Sequence, residues 1–276
     1  MRHVGLKLRM AVVGTLLFAF YAAGAGFALL LFGTSAWPLV LVGTVLFAGF
    51  QYKFGKWASL RSVGAEEMDE QQYQEIHWMV EDLCKEMDLE KPKLMVADMG
   101  VPNAFATGRR GAGVVVVSRE LIRLLDRDEL EGVIAHELAH IDNRDVVTMV
   151  LGQSIASIFG IAVQWAVMLS GDNDIADFVL GYIAGILTQM FVMLFVLAIS
   201  RYREYVADSD AAQYVGSGDP LARALEKIQR GSEGRESRVS DEVSALCIFD
   251  SEGGLMKKIL ATHPPVEKRI EKLRSY

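Results

Sequence analysis

Apolar and charged positions divide this chain into alternating blocks. No charged residue occurs from Met10 to Tyr52, from Val146 to Gly171, or from Phe178 to Ser200, whereas charges are dense from Lys53 to Asp145. A helix needs about 20 apolar residues to cross about 30 Å of hydrocarbon. The first block is longer than that and is interrupted by Gly33-Thr34-Ser35-Ala36-Trp37-Pro38. It therefore predicts two helices, 10–32 and 36–54, joined by a tight turn. The other two blocks bring the total to four membrane helices. The third, 146–170, is the most polar, and its Thr148, Gln153, Ser154, Ser157 and Gln164 are assigned to a helix partner rather than lipid. The alternative is that it folds against a soluble core without crossing.

The charged blocks carry different periodicities. Ile76, Val80, Leu83 and Met87 recur at helical spacing and predict a helix over 69–88, stopped by Pro92. Lys93–Asp98 reads as a strand, as do 103–107 and 114–118 on either side of a glycine-rich hairpin turn at 108–113. Asp128 followed by Glu131 opens a helix through Leu130, Ile134, Leu138 and Ile141. Gly231–Arg238 reads as a polar linker, and Pro265 starts a last helix with Lys and Arg toward its end. The expected fold is a mainly α membrane protein with a small α+β zincin-like catalytic domain. The expected order is a tail (1–9), a hairpin (10–54), the first catalytic part (55–145), a second hairpin (146–200) and the second catalytic part (201–276).

Charge sets the orientation. Arg2, Lys7 and Arg9 precede the first hairpin, and Lys53, Lys56 and Arg61 follow it. Arg144 precedes the second, and Arg201 and Arg203 follow it, while the connectors at 33–38 and 171–177 hold no base. The positive-inside rule places both termini and the charged segments in the cytoplasm of a multi-pass cell-membrane protein. A cleaved signal peptide ending near Ala22-Ala23-Gly24-Ala25 is the competing reading, but the apolar run continues past it. The net charge of −7 and the lack of a basic, aromatic-interleaved stripe argue against a nucleic-acid partner. Cys84 and Cys247 lie too far apart in sequence to suggest a disulfide framework.

The chemistry is concentrated at His136-Glu137-Leu138-Ala139-His140. Positions i and i+4 share a helix face, so both imidazoles can hold one zinc ion, with Glu137 beside them as the base for an attacking water. Two histidines leave the ion one protein ligand short. His3, His77 and His263 remain, and Glu204 and Asp208 offer carboxylates on one face of a later helix. One of these could ligate while the other holds a histidine's second nitrogen. Arg201 is grouped with Asp208 as a supporting residue. Acidic and basic neighbours such as Asp128, Glu131, Asp142 and Arg144 put the motif in water rather than inside the bilayer. Even so, His140 and Glu204 lie within about 10 Å of the apolar runs.

At these residues the chain resembles HtpX, a family of membrane-bound zinc peptidases related to the type I CAAX prenyl proteases. The likeness covers the two leading apolar helices, Asn103-Ala104-Phe105-Ala106-Thr107-Gly108, the HExxH helix, two further apolar runs, Arg203-Glu204-xxx-Asp208, and Thr262-His263-Pro264-Pro265. The resemblance implies Glu204 as third zinc ligand and Asp208 as support for the histidines. It also implies an Asn103–Thr107 edge that pairs with an extended substrate, and Asn103 and His263 as oxyanion donors. Without it, His263 reads as a surface residue preceding a helix. The implied substrates are polypeptides, membrane proteins foremost, cleaved in quality control.

Overall fold

In a computed structural model, residues 37–170, 175–232 and 263–276 are described, together with Gly33 and Ser35. The expected helix 10–32, the connector residues 171–174 and most of the expected linker, from 233 onward, lie outside these residues. The fold is mostly helical with one small sheet. The described residues divide into two compact units, one drawn from within 1–53 and 148–197, the other from within 54–147 and 198–276.

The second unit is built on a four-stranded sheet. In chain order it contains the end of α1 (Trp37–Ser62), β1 (Glu66–Glu67), α2 (Gln74–Met87), β2 (Lys93–Ala97), β3 (Ala104–Thr107) and β4 (Val114–Ser118). The strands lie in the order β1-β2-β4-β3, with β2 and β4 parallel and the other pairs antiparallel. The turn between β3 and β4 needs glycine at Gly108, whose φ is +99° and where a Cβ would lie 2.4 Å from the Ala112 carbonyl oxygen. Side chains alternate across the strands. Leu94, Val96, Ala104, Ala106, Val115 and Val117 enter the main core, while Ala97, Phe105, Val114 and Val116 meet Val63 on the other face.

The main core is closed by α3 (Arg119–Leu124), α4 (Arg127–Asp142), α7 (Asp219–Ser232) and α8 (Val266–Leu273). Helix α4 starts earlier than Asp128. Asp126 is its N-cap, and the Glu129 carboxylate accepts the Asp126 backbone N–H at 2.9 Å, closing a capping box. Asp128 falls inside the first turn, where Arg223 of α7 pairs with it. Likewise α2 starts at Gln74 rather than 69, because Asp69 Oδ1 accepts the N–H groups of Gln71 and Gln72 and forms a turn. Residues 231–232, expected in a linker, end α7, and Gly231 packs on Leu124 and Pro102. Strand β1 and helices α3 and α7 were not expected from periodicity.

The first unit contains most of α5 (Asp145–Ser170) and the apolar part of α6 (Ile175–Val215). These helices approach closely at glycines. A Cβ on Gly185 would lie 2.6 Å from the Gly160 carbonyl oxygen, and one on Gly181 2.6 Å from that of Gln164. The Gln164 backbone and Cβ thus border the helix partner at Gly181 and Gly185, whereas Gln153, expected to face a partner, is exposed. Among the described residues α6 is long and apolar enough to cross a membrane, and α5 holds a shorter apolar stretch, Phe159–Met168. Only 28% of the most apolar window of α6 is buried, which is not the pattern of a core helix.

Candidate active site

Helix α4 carries His136, Glu137 and His140, and α6 carries Glu204 and Asp208 one turn apart. His136, Glu137, Glu204 and Asp208 are buried and His140 nearly so. The two Nε2 atoms are 3.1 Å apart. His140 Nε2 is 3.3 Å from Glu204 Oε1, and His136 Nε2 is 3.6 Å from Glu204 Oε2. Ligands bonded at 2.0–2.2 Å to one tetrahedral ion stand about 3.3–3.6 Å from one another. These three residues therefore gather close enough to hold one metal ion, and no other His/Cys/Asp/Glu group among the described residues does.

The ring nitrogens turned away from this point are also held. His136 Nδ1 is 3.0 Å from Asp208 Oδ1, and His140 Nδ1 is 2.6 Å from Asp145 Oδ2. Asp145 reaches back because α4 ends at Asp142 and Arg144 adopts a left-handed φ of 57°, so the chain breaks before α5 begins. Two buried arginines back the carboxylates. Arg269 of α8 donates through Nε to Asp208 Oδ2 at 2.9 Å and through Nη2 to Oδ1 at 2.7 Å, and its Nη1 lies 3.1 Å from Glu204 Oε2. Arg203 Nε lies 2.7 Å from Asp145 Oδ1.

Burial pushes the Glu137 carboxyl up, a shift the neighbouring histidines only partly offset, which favours its taking up a proton. Burial acts the same way on Glu204 and Asp208, but there it is outweighed. His263, Arg269 and His140 hold Glu204 well below the usual carboxylate range, and Arg269 and His136 hold Asp208 low.

His263 is brought to this cluster, with Nδ1 2.9 Å from Glu204 Oε2. Asn103 is buried just before β3, where its Oδ1 accepts the Ala104 N–H at 3.0 Å and its carbonyl accepts the Ser118 N–H at 2.9 Å. Ala104, Phe105, Ala106 and Thr107 form the edge strand β3, which pairs with β4 on one side. Arg201 is half-buried, and the arginine that reaches Asp145 is its neighbour Arg203. His77 lies elsewhere, with Nε2 3.1 Å from the Met68 carbonyl oxygen. Sequence reasoning passed over Asp145, Arg203 and Arg269 as site residues. The one local signal was an aspartate five residues past His140, beside the start of an apolar helix.

Residues 70–276 match peptidase family M48. A protease HtpX homolog of Halobacterium salinarum is 55% identical over 289 residues, covering 96% of this chain and 100% of that protein. One from Pyrococcus abyssi is 37% identical, covering 98% and 96%. The crystal structure of S. mikatae Ste24p matches with a TM-score of 0.60 at 18% identity, a likeness of fold. It covers 98% of this chain, which spans 64% of Ste24p.

Proposed function

This chain belongs to peptidase family M48 and is a metalloendopeptidase, and from that premise we propose that it is a membrane-anchored, zinc-dependent endopeptidase that cleaves misfolded or damaged membrane proteins in quality control. The observation that carries the metal assignment is the convergence of His136 Nε2, His140 Nε2 and the Glu204 carboxylate, with separations of 3.1, 3.3 and 3.6 Å. Two imidazoles and one carboxylate suit zinc, one ion per chain. Zinc bound there would supply Lewis acidity, lowering the pKa of a water and polarising the scissile carbonyl.

The chain's own residues do the rest. Glu137, with its carboxyl raised by burial, accepts the proton of the attacking water and returns it to the departing amine. Asn103 and His263 are the donors assigned to the carbonyl oxygen as it gains charge. The buried edge of β3, Ala104–Thr107, is assigned to pair with the backbone of an extended substrate, which suits an enzyme that reads unfolded chain rather than one side chain. Four membrane helices, with both termini and the site in the cytoplasm, would hold this machinery at the surface from which such substrates emerge.

The test separates base from ligands. Glu137→Gln should retain zinc and lose proteolysis of an unfolded protein by at least about a hundredfold. His136→Ala, His140→Ala and Glu204→Ala should lose both. If Glu204→Ala bound zinc as tightly as the parent, the third ligand would be Asp208 or His263 instead.

A further inference from the structure

We infer that Asp145 and Arg203 form a positioning relay that fixes His140 in its metal-facing orientation and ties it to the segment carrying Glu204. The inference rests on the assignment of His136, His140 and Glu204 as zinc ligands. A neutral imidazole can ligate through Nε2 only if its proton sits on Nδ1, and an acceptor at Nδ1 sets that tautomer. Asp145 Oδ2, at 2.6 Å, is such an acceptor. Its other oxygen, Oδ1, lies 2.7 Å from Arg203 Nε.

Both partners are buried, Asp145 at 2% exposure and Arg203 at 7%. A lone carboxylate at that depth is costly, and Arg203 supplies its counter-charge. Arg203 is also the residue before Glu204. The contacts thus close a ring from His140 to Asp145, to Arg203, through one peptide bond to Glu204, and back to His140 Nε2 at 3.3 Å. Three helices contribute to this ring: α4, the first residue of α5, and α6. The ring sets the distance between two ligands that stand 64 positions apart in sequence (204 − 140). It parallels the chain on the other histidine, where Arg269 holds Asp208 and Asp208 faces His136 Nδ1.

The experiment uses the full chain in detergent and measures the zinc dissociation constant by competition with a chromophoric chelator. It also records the visible spectrum of the cobalt-substituted protein and the melting midpoint of the metal-free protein. Asp145→Asn and Arg203→Met should each weaken zinc by about 10- to 100-fold, the range expected for partners behind a ligand. Each should alter the cobalt bands, and Arg203→Met, which leaves the buried Asp145 carboxylate without its counter-charge, should also lower the metal-free midpoint. The double variant should bind no more weakly than the weaker single variant, because both break one chain of contacts. Arg203→Lys, which keeps the charge but not the planar fork, should fall between parent and Arg203→Met. Parent-like zinc affinity in Asp145→Asn, or losses that multiply in the double variant, would overturn the relay. Parent-like cobalt bands in both single variants would make the pair structural and overturn it too. Undiminished affinity in His140→Ala would instead overturn the ligand assignment, and the relay with it.

Discussion

Arg269 has no exposed surface and faces two carboxylates, Asp208 and Glu204. Removing one partner from a buried ionic cluster leaves the others uncompensated, which costs far more than the net worth of the pair. Arg269→Met should therefore destabilise the protein by about 3–5 kcal/mol, read from urea unfolding of the metal-free chain. Arg269→Lys should recover part of this, since one ammonium cannot reach both carboxylates with paired donors. A neutral Arg269→Met would mean that Asp208 and Glu204 are not ionised together. The same residue marks the limit of what sequence discloses. His136, Glu137 and His140 are legible because their relation is local, a single helical turn, and Glu204 and Asp208 share a face for the same reason. Arg269 meets Asp208 across 61 positions, and no periodicity connects them. Asp145 is close to His140 in sequence but reaches it only through the left-handed break at Arg144, a conformation that the residue type does not signal.

At the scale of elements, apolar blocks and the three apolar strands were readable, whereas the two-residue, acidic β1 and the ends of helices were not. The strand at 93–97 and the hairpin of β3 and β4 follow from runs of apolar residues around a glycine-rich turn. The start of α4 was misplaced by one cap, because both Asp126 and Asp128 offer a suitable side chain and only the Glu129 contact decides between them. Helix α7 was missed although its apolar residues recur on one face, and the glycine and serine at its end read as linker. The approach of α5 to α6 depends on residues that look unremarkable in a list of apolar positions. Gly160 and Gly185 face each other backbone to backbone, where even a methyl group has no room. Gly185→Leu should force the helices apart and cost about 1–3 kcal/mol, seen as a lower melting midpoint in detergent. An unchanged midpoint would mean that the two helices do not pack at this position.

At the scale of the whole chain, the unit that holds the site is assembled from residues on both flanks of the second apolar hairpin, 54–147 and 198–276. Both flanks must then lie on one side of the membrane, so the hairpin crosses twice or not at all. In the proposed topology the bias of basic residues puts that side in the cytoplasm, because an outward site would strand Lys53, Lys56, Arg61, Arg144, Arg201 and Arg203 on the wrong face. Crossing by the polar third run is tested with a cysteine at Asn173, in the connector. The natural background is manageable. Burial pushes the Cys84 thiol up to about 11, so it presents little thiolate to a reagent, and Cys247 can be replaced by serine. In intact cells Asn173→Cys should react with a membrane-impermeant maleimide, while a cysteine placed at exposed Glu90 should react only after lysis. If both require lysis, the second hairpin stays inside and the first apolar block alone anchors the enzyme. If Glu90→Cys reacts in intact cells, the site faces outward and a role in cytoplasmic quality control fails with it.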